Sequence, residues 1–147
     1  MLYVLMTICG ERYGVEGSAI VEIIPAVELM STERATQPFL CGYFNYHGER
    51  VPVVDSGLLM SGRPSIKSLS TRIAIIMIPG DDDRPCVLGL MAEEMTETEK
   101  CKLERFEGDS EGYEEYSHSV EILSGSSEKR GFRILNTRYL FSKVFAN

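Results

Sequence analysis

Few side chains in this sequence could do chemistry, and they are poorly placed to do it together. There are two histidines, His47 and His118, and four cysteines, Cys9, Cys41, Cys86 and Cys101. A thiolate–imidazole nucleophile needs one of each, and Cys41 with His47 is the nearest pair along the chain. No orienting group or oxyanion motif accompanies them, so they read as a core thiol and a polar turn residue. The cysteines are spaced by 32, 45 and 15 residues with no CxxC pair. Zinc sites draw their ligands from close pairs, so a metal cluster is not expected. Asp81, Asp82 and Asp83 lack the alternating spacing of a calcium loop and read as a solvated turn. Glu93, Glu94, Glu97 and Glu99 form no evident acid–base pair. No Walker loop or GxGxxG occurs, so phosphate cradles are absent as well. Neither catalysis nor a cofactor is expected, and the residues point to a binding module.

Charge narrows the kind of partner. The chain of 147 residues carries a net charge of −7 and a sequence pI near 4.9, which opposes nucleic-acid binding and docking on anionic lipid. Residues 93–121 hold 11 of the 22 acidic residues and read as a solvated loop. The amino-terminal run has no basic region followed by a small-residue cleavage site, and the longest apolar run, residues 73–78, is far too short to span a bilayer. A cytoplasmic protein without direct membrane insertion is expected. In that reducing compartment Cys9, Cys41 and Cys86 read as small apolar core residues, while Cys101 sits among charges.

The elements that must present any binding surface are short strands. Residues 2–9 and 13–15 flank a turn at Gly10, Glu11 and Arg12, a hairpin pattern. Ser18 reads as an N-cap, and Ile20, Ile23 and Ile24 fall at helical spacing before Pro25, so a turn of helix is expected there. Residues 27–30 read as another strand. Residues 37–55 form a second hairpin with a polar tip at His47, Gly48, Glu49 and Arg50 and with Pro52 at an edge or bulge. Asp55 and Ser56 can cap a short helix over residues 57–60 that Gly62 ends. Residues 73–78 read as a strand buried on both faces, paired through an acidic turn at 80–84 with residues 86–91. Residues 96–119 are polar and weakly patterned. Short strands are expected at 120–123 and 131–135, and a terminal helix at 137–144. About eight to ten strands with closely spaced turn signals give an all-β fold with short helices, a small barrel or sandwich with no linker dividing it.

The order of these segments resembles the CheW-like chemotaxis adaptor family over residues 2–142. Ile20-Val21-Glu22-Ile23 is similar to the family's V-x-E-I signature. Gly42-Tyr43-Phe44-Asn45-Tyr46-His47-Gly48 followed by Val51-Pro52-Val53-Val54-Asp55 is similar to its G-x-x-N-x-R-G…V-P-V-V-D-L motif. Leu88-Gly89-Leu90-Met91, and Ile134-Leu135-Asn136 before Tyr139-Leu140-Phe141, match its later strands and last helix. Two further segments, Phe44-Asn45-Tyr46 and the stretch from Gly62-Arg63-Pro64 to Arg72-Ile73, resemble the Wsp-type alternative chemosensory subgroup. The resemblance implies residues 1–147 as one domain of two intertwined SH3-like β-barrels sharing a core. It implies no enzyme activity and no cofactor. The implied partners are a chemoreceptor signalling hairpin and the regulatory domain of a CheA-type histidine kinase, met near receptor arrays at the inner membrane. The residues that map onto the partner-binding region are Ile20, Glu22, Gly42, Asn45, His47 and Arg50. The family places an arginine where His47 stands and pairs it with the acid at Glu22; a neutral imidazole cannot replace that contact, so Arg50 is expected to do so. The alternative is a structural subunit of another cytosolic assembly that associates through open strand edges.

Overall fold

The structure, a computed structural model, describes residues 2–26, 38–80, 84–100, 103–105, 117–122 and 130–145. Among the described residues, ten strands and two α-helices follow one another in the order β1 (Leu2–Ile8), β2 (Glu11–Glu16), β3 (Ile20–Pro25), β4 (Leu40–Tyr46), β5 (Glu49–Asp55), α1 (Ser56–Ser61), β6 (Arg72–Ile78), β7 (Cys86–Lys100), β8 (Leu103–Arg105), β9 (Ser117–Ile122), β10 (Arg130–Leu135) and α2 (Thr137–Val144). The all-β expectation holds. Strand residues 27–30, the aspartate turn 81–83 and Cys101 lie outside the described residues.

The first two expected hairpins form, with tighter turns than the sequence suggests, and the third expected pairing, of residues 73–78 with 86–91, forms as antiparallel β6 and β7. Ile8 pairs with Glu11 and Tyr46 with Glu49, leaving two-residue loops. Their φ values are +50° and +81° at Cys9 and Gly10, and +50° and +81° at His47 and Gly48. Positive φ at both central residues is the type I′ geometry, whose twist matches that of the flanking strands. Glycine adopts it freely, and histidine is among the side chains that tolerate it. Glu11, Arg12, Glu49 and Arg50 are therefore strand residues. Cys9 is an exposed turn residue, not the core residue expected, because the tight turn lifts it out of β1.

The strands divide into two sheets that share β7. In the first, the order is β7-β1-β2-β10-β9-β8; in the second, β3-β6-β7-β5-β4. The first half of β7 lies between β6 and β5, pairing Gly89 with both Ile75 and Val53. The second half pairs with β1, from Thr7 opposite Glu93 to Leu2 opposite Lys100, with a register shift between. Glu94 sits in that irregularity at φ +49°, a bulge that turns β7 from one sheet into the other. Residues 93–100 are thus a paired strand and not part of a solvated loop. Met95 among them is buried, β1 supplies the paired strand, and Arg12 Nη2 meets Glu97 Oε2 at 2.6 Å across the sheet.

A second correction concerns residues 18–24. They form a single 3₁₀ turn, Gly17–Ala19, and then β3 pairs with β6 from Ile20 opposite Ile76 to Pro25 opposite Arg72. A run of β-branched side chains loses χ1 freedom in a helix and fits a pleated surface. The ready partner β6 decides the outcome against the helical spacing.

Among the described residues, three apolar clusters hold the two sheets. Tyr3, Leu5, Phe132 and Ile134 fill the first, and Phe44, Val51, Val53, Ile73, Ile75 and Met91 fill the second. The largest lies between them: Val4, Met6 and Val15 from the first sheet meet Val54, Ile76, Leu88 and Leu90 from the second. Successive strand residues point to opposite faces, so β1 and β6 each feed a cluster of their own and the shared one. Helix α2 closes the shared core with Leu140 and Phe141, its first turn capped by Asn136 Oδ1, which accepts from Tyr139 N at 3.1 Å.

Candidate docking surface

Strands β3 and β4 are the two edges of the second sheet, and the motif residues lie along them. Glu22 is opposite Ile75, past an irregularity that leaves Val21 without a paired residue, and its side chain therefore points to the side of the second cluster. Tyr46 ends β4 on the same side. Its Oη donates to Glu22 Oε2 at 3.0 Å, which ties one edge of the sheet to the other. Desolvation, and then the bond to Glu22, hold the Tyr46 phenol above its ordinary pKa, so it stays a donor through neutral pH. The His47 ring packs edge-on against Tyr46 with centroids 4.3 Å apart, and Phe44 lies 6.0 Å from Tyr46 on the inner side.

Arg50 does not reach Glu22. It faces Asn45 across the β4–β5 ladder and lies over the Tyr43 ring, its Cζ 4.5 Å from the centroid. Tyr43 and Asn45 alternate with Phe44 and Tyr46, so Arg50 is carried to the opposite face from Glu22. The expected Arg50–Glu22 ion pair is therefore wrong, and a neutral tyrosine fills the role instead. Of the six motif residues, the structure groups Glu22 and His47 around Tyr46, and Asn45 and Arg50 around Tyr43. Gly42 is buried opposite Val53 beside a ladder irregularity, and Ile20 is half-buried against the shared core.

Cys41 donates to Val53 O at 3.3 Å. Burial first, and the Asp55 carboxylate second, push its thiol up to about 11. It is protonated at neutral pH and turned into the β4–β5 ladder, while His47 packs on Tyr46; no nucleophile pair is formed by them. Among the described residues no group of three or more histidine, cysteine or carboxylate side chains is arranged to hold a metal ion.

Sequence reasoning missed the apolar side chains that lie exposed on these strands. Val21 and Ile23 on β3 and Met77 on β6 are large apolar side chains left exposed. Met77 also lines a cleft of about 510 Å³ bounded by Glu16, Ser18, Ala19, Ile78, Pro79, Thr137 and Arg138, where the 3₁₀ turn, the end of β6 and the start of α2 meet. The available signal was the run Ile20-Val21-Glu22-Ile23-Ile24: a strand apolar at nearly every position, placed at an edge, must expose part of that surface.

Replacing Tyr46 by phenylalanine is expected to loosen β3 without unfolding the protein. Amide exchange at Ile23 and Ile24 should rise several-fold while exchange in β6 and β7 stays unchanged. Unaltered protection throughout β3 would show that the link between the edges restrains nothing.

The family model of the CheW-like domain matches residues 2–144. No curated protein matches the sequence. Among solved structures, the scaffolding protein TtCheW from Thermoanaerobacter tengcongensis aligns with a TM-score of 0.74 at 19% identity, covering 95% of this chain and 86% of that one.

Proposed function

From the premise that this chain belongs to the CheW-like domain family, we propose that it is a non-enzymatic adaptor coupling a chemoreceptor signalling hairpin to the regulatory domain of a CheA-type histidine kinase. It would act in the cytoplasm, recruited to receptor arrays. The observations that carry this reading are the apolar side chains that edge strand β3 leaves exposed, Val21 and Ile23, and the separate cleft lined by Met77 at the end of β6. An amphipathic helix lays its i, i+3, i+4 face on such a surface, and burial of its anchors supplies the affinity. Among the described residues no helix is long and apolar enough to cross a membrane, so recruitment would run through the receptor.

An adaptor of this kind does no chemistry. It fixes the geometry in which the conformational state of a receptor biases a kinase equilibrium, and differential contact with the two states is enough. Modest affinity at each contact suffices where many copies act together.

Calorimetric titration of the full chain tests the reading. One-to-one binding in the micromolar range is expected with the receptor hairpin and with the kinase regulatory domain. Val21→Asp should weaken hairpin binding about tenfold or more, because it places a charge on the exposed apolar edge of β3. Binding to neither partner would overturn the adaptor reading and leave association through open strand edges as its replacement.

A further inference from the structure

The connection from α1 to β6 is a second surface built for contact. Residues 62–71 have no regular secondary structure, yet they are bonded at almost every step. Asp55 accepts from Ser65 N at 3.1 Å and from Ser65 Oγ at 2.6 Å. Ile66 N donates to Glu93 Oε1. Thr71, fully buried, donates through Oγ1 to Ile66 O at 2.7 Å and accepts from Ser68 N at 3.0 Å. Ser70 O accepts from Met95 N at 3.2 Å, and the Arg72 guanidinium caps the carbonyls of Leu69 and Thr71.

This fixed backbone projects two large apolar side chains into water, Ile66 at 72% and Leu69 at 95% exposure. Single exposed apolar residues are ordinary on a surface; two on a loop whose backbone is bonded at almost every step are pre-organised as anchors, because ordering before contact removes part of the entropic cost of binding. Charge indicates what lies opposite. Residues 56–80 contain Arg63, Lys67 and Arg72 and no acidic residue, in a chain of net charge −7. Arg72 is engaged in the loop, and Glu93 holds Ile66 N. The side chains of Arg63 and Lys67 are exposed and make no hydrogen bond or ion pair among the described residues.

We propose that this loop is an anchor that inserts Ile66 and Leu69 into a concave apolar pocket rimmed by carboxylates on the kinase regulatory domain. The proposal rests on the adaptor reading above. Of the two partners, the receptor hairpin is a pair of helices and needs a groove or a flat edge to lie on. A projecting loop instead needs a concavity, which a globular domain supplies. The loop shares no residue with the edge of Val21 and Ile23 or with the cleft, so one molecule can hold both partners at once.

The test measures binding of the full chain to the kinase regulatory domain and, separately, to the receptor hairpin. Leu69→Asp, at a fully solvated position, is expected to weaken kinase-domain binding at least about 30-fold and leave hairpin binding unchanged. The pair Arg63→Glu and Lys67→Glu should slow association with the kinase domain and remove its decline with added salt. Unchanged kinase-domain affinity in Leu69→Asp overturns the proposal while the adaptor reading stands. Loss of hairpin binding alone assigns the loop to the receptor and overturns it too. A wild-type dimer in sedimentation that Leu69→Asp dissolves would make a second copy the occupant and likewise overturn it. A wild-type protein that binds neither partner removes the adaptor reading, and this proposal with it.

Discussion

Asp55→Ala is expected to lower folding stability by about 3 kcal/mol, read as a fall of roughly 10 °C in the melting midpoint. Asp55 ends β5 and is 3% exposed. Its Oδ1 accepts from Gly57 N at 2.9 Å and from Leu58 N at 3.4 Å, capping α1. The same carboxylate holds Ser65 by backbone and hydroxyl. One side chain therefore satisfies the first turn of a helix and fixes the start of the following loop. Loss of an N-cap alone costs about 1 kcal/mol, and each buried donor left unpaired adds about 1–3 kcal/mol before relaxation. Asp55→Asn keeps one carbonyl acceptor at Oδ1 and should cost about 1 kcal/mol, since the donors at Gly57 and Leu58 stay satisfied. Urea unfolding of the two variants separates the cases. An alanine variant within about 1 kcal/mol of the parent would sink the claim that these bonds matter jointly.

The cap at Asp55 was legible because its physics is local. An aspartate and a serine before a short apolar run, with a glycine behind it, describe α1 from cap to the left-handed Gly62 at φ +72°. The same holds for α2, whose limits Thr137–Val144 coincide with the sequence reading, and for the hairpin tips, where a glycine sits between apolar runs. What could not be read depends on partners distant in sequence. Ile20, Ile23 and Ile24 satisfy a helical period and a strand equally, and only the presence of β6 alongside decides. The second half of β7 has little apolar signal of its own. It is held as a strand by pairing with β1, far earlier in the chain, with a bond from Thr7 Oγ1 to Glu94 Oε2 at 3.0 Å beside the bulge. The bulge at Glu94 further hides the alternation by shifting it one place.

The docking surface divides along the same line. Glu22 and His47 could be singled out from motifs, and the departure at His47 from the family's arginine was visible as a lost charge. The residue that compensates was not. Arg50 carries the missing charge and lies three residues from His47, whereas Tyr46 carries none. Strand alternation settles the matter: residues facing each other across a ladder share a face, so Arg50 goes with Asn45, and Tyr46 goes with the side that meets β3. The exposed state of Val21 and Ile23 likewise depends on β3 being an edge, a property of sheet order that no local pattern encodes.

Gly89→Val is expected to cost at least about 3 kcal/mol, and Gly89→Ala about 1–2 kcal/mol. Gly89 is the point where β7 pairs with β5 on one side and β6 on the other. A Cβ there would lie 2.9 Å from Ile73 Cγ2, 3.1 Å from Val53 Cγ2 and 3.4 Å from Phe44 Cε1. The residues on all three sides belong to the buried cluster of the second sheet, and a close-packed interior has nowhere to send an added methyl. Alanine gains about 0.5–1 kcal/mol from the loss of glycine's backbone freedom, which offsets part of its clash. Valine adds two further methyls to the same closed space, and the gain no longer compensates. The glycine is plain in the sequence, but its reason is the approach of Val53, Ile73 and Phe44 from three other positions in the chain. Removing volume opposite should reveal this: Val53→Ala in the Gly89→Val background is expected to recover about 1 kcal/mol relative to the sum of the single changes. Additive effects in that cycle, measured by urea unfolding, would mean that the two side chains do not compete for space and that the cost at Gly89 arises in the backbone.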